Sequence, residues 1–383
     1  MNYQRWSFPC SSARLFTGMA LSIFLLISVP LGAEDDTSRT TTPVSLEMFG
    51  DGIHHWKLEH EIDYPRYDPS EFVKIADNLL QYQNEDGGWP KNIDWLGKLD
   101  ADSLLSSYTE RYRRSTFDNR NTYPQIEYLA KVYTRTGFDR FKDATRRGIE
   151  YVLGRQHANG GWRGWDVDAI TFNDDVMTGI MNLLLDISLE KSFYSWLDDS
   201  TRSNVDTALE QAIDVTLECQ IEVNGMKTVW CQQHDHETYE PVKGRSYELP
   251  SKTAWESTSV VEFLMRLPEP SQRVIHSVEA AIAWFEKSRI RGIKVKEVTR
   301  IMDGEEQRDR IVMEDASAPP IWARYYEVET NRPFFCRRSG EKVYSLQEVN
   351  HERRIGYDWY GYWPQELLEK QYPAWREKHD LPD

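Results

Sequence analysis

Gln83-Asn84-Glu85-Asp86-Gly87-Gly88-Trp89 follows one run of helical periodicity, and Gln156-His157-Ala158-Asn159-Gly160-Gly161-Trp162 follows another. A degraded third copy runs from Gln220 through Asn224-Gly225 to Trp230. The three Gln residues are 73 and 64 positions apart, about the length of a helical hairpin with its loops. A repeat of this kind marks an architecture whose units cannot bury their apolar faces alone. Gly just past a helix relieves the left-handed turn that closes it, and the Trp is expected to fold back onto the end of the barrel. Three or so such units predict an all-α dominated fold, an (α/α) toroid of helical hairpins. Toroids bind ligands in the groove that the inter-helix loops build at one end of the ring.

The surrounding sequence agrees. Phe72, Ile75, Ala76, Leu79 and Leu80 fall on one helical face. Similar periodicity recurs in 126–133, 141–153, 176–187, 205–219, 258–267 and 274–285. Only short strands compete, around 294–313 and 334–344. The N-terminus has Arg5 and Arg14 ahead of an apolar stretch from Leu15 to Ala33, which reads as an export signal over residues 1–33. An uncleaved anchor is the alternative, because the stretch nears the length that spans a bilayer. A flexible lead-in is expected over 34–60 and a catalytic domain over 61–383. The protein is expected to be secreted or periplasmic, free of the membrane once the signal is cut, and monomeric.

Net charge is −16, the opposite of the balance that a nucleic-acid binder carries. Positive charge concentrates near the end of the chain, in Arg324, Arg332, Arg337, Arg338, Lys342, Arg353 and Arg354. A cleft lined by them would suit an anionic polymer, and a solvated face is the plainer reading. Aromatic residues make up 13%, including 14 Trp and 20 Tyr, rings that fill a core or stack on sugars. The mature chain would keep Cys219, Cys231 and Cys336. No Cys/His spacing suggests zinc, and a Cys219–Cys231 bridge is left open.

Three polar clusters interrupt the helical pattern. Thr116-Phe117-Asp118-Asn119-Arg120-Asn121-Thr122-Tyr123 and Thr171-Phe172-Asn173-Asp174-Asp175 each precede a helix. Taken singly they are N-caps. At equivalent ends of a ring, their oxygens also form the donor set that Ca2+ takes. The third joins Trp230-Cys231-Gln232-Gln233-His234-Asp235 to Lys243-Gly244-Arg245-Ser246-Tyr247-Glu248-Leu249-Pro250. Glu248 there is either a base or the ion-pair partner that holds Arg245.

With these residues assembled, the sequence resembles pectate lyases of polysaccharide lyase family 10 from about Phe72 to Pro364. The motifs that carry the likeness are Gln83-x3-Gly-Gly-Trp-Pro90, Asp118-Asn119-x2-Thr-Tyr123, 170–175, 230–235 and 245–251, then 318–324, 331–336, 351–354 and 359–364. The resemblance implies cleavage of de-esterified polygalacturonate by Ca2+-dependent β-elimination. Carried over position by position, Arg245 would be the base, and Asp118, Asn119 and Asp175 would hold or surround calcium. Arg324 and Arg338 would bind substrate carboxylates, with Arg332, Arg353, His234 and Tyr247 as further substrate contacts. Arg120-Asn121 stands where the family often has Gly-Ala, and residues 292–316 look longer and more charged than the family pattern.

In this reaction the proton at C5, α to the carboxylate, leaves, and the 4-oxygen is expelled. Charge builds on the uronate carboxylate, so cations beside it act where electrostatic stabilisation counts most. An arginine base needs its pKa brought down from the usual value above about 12, and burial among other cations is expected to do so. Three rivals remain. A hydrolase on the same ring would recruit two of Asp174, Asp175, Asp235 and Glu248. A terpene-cyclase-like toroid shares the Gly-Gly-Trp repeat, and a pectin-binding protein would keep the groove without the chemistry.

Overall fold

The computed structural model describes residues 43–302 and 304–381. The expected signal, 1–33, lies outside the described residues, as does the lead-in up to residue 42. Residues 47–59 are helical, contrary to the flexible lead-in expected through residue 60. Helix α1 (Gly50–Glu59) buries Trp56. Phe49, just ahead of it, packs on Tyr128 and Trp95 with ring centroids 5.1 and 6.4 Å apart. Val44, Phe49 and Trp56 give this polar stretch the apolar face that its composition hides.

Among the described residues, seven further helices form the body: α2 (Phe72–Gln81), α3 (Tyr123–Thr136), α4 (Asp139–Gly154), α5 (Val176–Ser188), α6 (Asp199–Glu218), α7 (Ala254–Arg266) and α8 (Gln272–Lys287). α3 pairs with α4, α5 with α6 and α7 with α8. Between hairpins, α3 touches α5 and α5 touches α7, while α2, α4, α6 and α8 neighbour one another in turn. Sequence assigns the layers. Nine of the thirteen residues of α5 are buried, as an inner helix requires, whereas α6 keeps a polar face to water.

The repeated motif is a joint with the same bonds each time. Gln83 Nε2 donates to the carbonyls of Gly87 and Ala144, Gln156 Nε2 to Gly160 and Ala208, and Gln220 Nε2 to Thr228 and Ser277. In every case the second acceptor lies on the next outer helix. The Trp indoles then donate back to the helix just left: Trp89 to Leu79, Trp162 to Val152 and Trp230 to Thr216. Gly87 and Gly160 both have φ +93°, and a Cβ on either would stand 2.2 or 2.4 Å from a carbonyl oxygen of the next outer helix. A fourth joint escapes the sequence pattern. Trp322 donates to Phe285 of α8, but no Gly-Gly precedes it and a long hairpin intervenes.

That hairpin pairs β2 (Ile293–Met302) with β3 (Glu305–Glu314). A small sheet orders β6 (Lys342–Val343), β5 (Pro333–Cys336), β4 (Tyr325–Tyr326) and β1 (Lys252–Thr253). Both strand regions expected from sequence are present. Cys219, Cys231 and Cys336 are buried free thiols, so the bridge left open by the sequence is not made. Each joint delivers a polar loop to the start of an inner helix: 116–122 to α3, 172–175 to α5 and 231–253 to α7.

Candidate active site

The first two loops take their shape from residues in the left-handed region. Asn119, Arg120 and Thr122 have φ of 55°, 50° and 72°, and Asp174 and Asp175 have 52° and 54°. Such conformations in non-glycine residues are costly and gather at functional sites. Their effect is to split each pair of neighbours. Asp174 is half-buried, and desolvation and then the Asp118 carboxylate push its carboxyl up to about 8. Asp175 turns the other way, accepting from Arg120 Nε at 2.7 Å and from Thr178 Oγ1 at 3.3 Å. Asp118 thus acts on Asp174, a neighbour of the Asp175 that the sequence reading placed around calcium with Asp118 and Asn119. Asp118 is ion-paired with Lys91, and Asn119 donates through Nδ2 to Asn92 Oδ1 at 2.7 Å, which keeps its own amide oxygen available.

The third loop presents Arg245. Its side chain keeps 37% of its exposure while Glu248 keeps 2%. Glu248 Oε1 accepts from Arg245 Nε at 2.7 Å and also from Nη2, and Oε2 accepts from the Arg245 backbone N–H at 2.8 Å. Gly244 makes room: a Cβ there would meet Glu248 Oε2 at 2.5 Å. Burial alone would lower the Arg245 pKa, but the Glu248 carboxylate outweighs it and the net shift is upward. This reverses the sign expected from sequence. Arg245, Glu248, Arg324 and Asp118 all act on Asp174, which places the three loops in one electrostatic cluster.

Tyr247 gathers the guanidinium groups. Arg245, Arg353 and Arg338 lie 5.2, 5.1 and 5.5 Å from its ring centre, and Arg353 Nη1 donates to its hydroxyl at 3.3 Å. Arg338 also donates to Glu352 at 3.0 Å. Arg324 is 4% exposed, between the rings of Trp255 and Tyr357 at 4.4 and 4.3 Å. It donates to Glu256 Oε1 and to Asn173 Oδ1, and Gln232 Nε2 donates to the same two oxygens. Two other candidates stand elsewhere. Arg332 stacks on Tyr344 at 3.5 Å, beside Glu327 and Lys342. His234 is fully buried; its Nε2 accepts from Cys231 N–H at 2.9 Å, its Nδ1 faces the Tyr239 carbonyl at 2.7 Å, and burial lowers its pKa to about 4. A neutral imidazole held at both nitrogens is a brace for the Arg245 loop.

Sequence reading missed Lys91, Asn92, Glu256, Trp255 and Tyr357. Lys91 and Asn92 directly follow Gly-Gly-Trp-Pro90, a position that could have singled them out. The other three contact the site only through tertiary structure. The geometry also bears on a two-carboxylate hydrolase. Asp175 is paired with Arg120, Glu248 with Arg245, and Asp235 Oδ1 caps its own turn by accepting from the Glu237 and Thr238 N–H groups. Three of the four carboxylates that chemistry would draw on are therefore engaged.

A family model described as pectic acid lyase matches residues 83–368, which include all three site loops. The chain belongs to the pectic acid lyase family. Among solved structures, this lyase is similar to the family 10 polysaccharide lyase of Cellvibrio cellulosa, a member of the helical-toroid lyases. The match has TM-score 0.66 and 26% identity, and covers 88% of this chain and all of that one. An Asp-to-Ala variant of a family 10 lyase from that organism, in complex with trigalacturonic acid, matches with TM-score 0.66 and 28% identity over 79% of this chain and 92% of that one. No curated protein sequence matches. The lyase is thus a family 10 polysaccharide lyase acting on pectate, on an (α/α) toroid. Among the described residues, no helix is long and apolar enough to cross a membrane.

Proposed function

We propose that the protein cleaves de-esterified polygalacturonate by Ca2+-dependent β-elimination with Arg245 as base, giving 4,5-unsaturated oligogalacturonides. The observation that carries this is that the Asp118 carboxylate and the Arg245 and Arg324 guanidinium groups all act electrostatically on the Asp174 carboxyl. Asp174 is half-buried, and its proton affinity is raised first by desolvation and then by the Asp118 carboxylate. Asp118, Asp174 and the amide oxygen of Asn119 supply the hard oxygen donors that Ca2+ takes, so the residues fit the ion. When bound, it would draw charge from a substrate carboxylate and acidify the neighbouring C5 proton.

The remaining work falls to the chain's own groups. Arg245, Arg338 and Arg353 around Tyr247 attract and align an anionic polymer. Glu248 fixes the Arg245 guanidinium through Nε and Nη2, which leaves Nη1 as the nitrogen to take the C5 proton. The C5–H electron pair becomes the C4–C5 double bond as the C4–O bond breaks, and the departing oxygen keeps its own pair and takes a proton from solvent water. Arg324, held by Glu256 and by two rings, acts as a fixed positive charge behind the carboxylates and is too enclosed to grip substrate directly. Export by the N-terminal segment and action as a monomer belong to the same reading, since the substrate is a cell-wall polymer.

The test is ultraviolet absorbance of polygalacturonate incubated with the protein at alkaline pH, first with Ca2+ and then with chelator. A calcium-dependent rise is expected as unsaturated uronides form. New reducing ends without absorbance would instead mark hydrolysis.

A further inference from the structure

His157 occupies, in the second joint, the position of Asn84 in the first. Asn84 ties its joint to the following loop by hydrogen bonds, donating to the Arg113 carbonyl at 2.8 Å and to Ser115 Oγ at 2.9 Å. His157 makes no such bond to the loops it meets. It stacks on His236 with ring centres 3.9 Å apart and planes 22° from parallel. Both Nε2 atoms approach one carboxylate oxygen, Asp168 Oδ1, at 3.7 Å from His157 and 3.4 Å from His236. His236 Nε2 is buried with no hydrogen-bond partner.

These separations are too long for hydrogen bonds. They come near another geometry, which the two stacked rings reach by rotating so that both Nε2 lone pairs aim at one point. Four ligands about 2.0–2.1 Å from a zinc ion at tetrahedral angles stand roughly 3.4 Å from one another. The donor atoms of His157, Asp168 and His236 all lie within 4.8 Å of one another. Burial and the neighbouring His236 lower the His157 pKa, which favours the neutral imidazole that a metal needs. Arg163 Nη1 stands 3.7 Å from Asp168 Oδ1 on a side chain 47% exposed, able to swing outward. Asn159 Nδ2 donates to the His236 carbonyl at 2.7 Å and lies 3.2 Å from Nδ1. With Nε2 on a metal, Nδ1 carries the hydrogen, and Asn159 keeps its carbonyl bond while giving up the longer contact.

We propose that His157, Asp168 and His236 form a second metal site, for a divalent transition ion of the Zn2+ class in tetrahedral coordination with water as fourth ligand. Two nitrogens and one carboxylate select such an ion over Ca2+, which takes oxygens. His157 and Asp168 come from the connection between α4 and α5, and His236 comes from the loop ahead of α7. The site staples the second joint to the start of the segment that carries Arg245.

Tag-free full-length protein, stripped with chelator, is titrated with Zn2+ against a chromophoric competitor, and with Co2+ to record visible absorption. One Zn2+ per chain is expected, with excess Ca2+ failing to displace it and Co2+ giving the intense bands of a tetrahedral complex. His236→Ala should weaken Zn2+ binding by about 100-fold or more, since even outer-shell losses cost about 10–100-fold. Asp168→Asn, at a side chain 61% exposed, leaves the fold intact and should also weaken binding and change the Co2+ spectrum. Absence of a stoichiometric site in the wild type, or equal affinity in both variants, would overturn the proposal.

Discussion

The guanidinium of Arg245 is under two opposed influences, burial against its charge and the Glu248 carboxylate in favour of it, and the carboxylate prevails. Below its pKa the neutral fraction of such a base grows about tenfold per pH unit, so activity should climb steadily into the alkaline range. Glu248→Gln removes the stabilising charge and keeps the hydrogen-bonding shape. Its pH–rate profile should level off at lower pH than that of the wild type, whereas Glu248→Asp should keep the wild-type form. Arg245→Ala should lower kcat by about a thousandfold or more at every pH, measured from initial rates of uronide absorbance. Asp174 makes a separate prediction. Its raised carboxyl holds a proton in the folded chain that the unfolded chain has already lost, so without metal the folded state loses stability as pH rises from about 4 to about 8. Melting temperatures in chelator should fall across that window, Ca2+ should raise them more at pH 9 than at pH 6, and Asp174→Asn should flatten both trends.

At the level of elements, the joint is the unit that matters. Gly160→Ala places a methyl group 2.4 Å from the Gln211 carbonyl and forces an L residue to φ +93°. Gly225, in the degraded third copy, has φ +76° but open space around it. Urea unfolding should therefore show Gly160→Ala destabilised by about 3 kcal/mol and Gly225→Ala by about 1 kcal/mol. The same joints explain what could be read in advance. Gln, Gly-Gly and Trp recur because each has a fixed bond or conformation to fill, so the period, the helices and the toroid were legible. The loops that the joints deliver were legible as polar clusters. Which way Asp174 and Asp175 turn was not, because consecutive left-handed residues depend on contacts with Arg120 and Asn173 that sequence order does not display. Burial of Arg324 by Trp255, Glu256 and Tyr357 was hidden for the same reason.

Across the whole molecule, a net charge of −16 coexists with a cluster of arginines around Tyr247. The general field repels a polyanion and the local one attracts it, and salt screens the two over lengths of about 10 Å at 0.1 M. Arg338→Ala, which removes an exposed member of the cluster, should raise KM several-fold with little change in kcat, and should reduce the salt dependence of KM. The joints also impose an order in time. Gln83 finds its second acceptor 61 residues later, Gln156 finds its own 52 later and Gln220 finds its own 57 later. In a chain emerging from the ribosome at about 5–20 residues per second, each Gln must wait roughly 3–12 s for its acceptor. The ring is thus assembled like a ratchet, each segment provisional until its successor arrives.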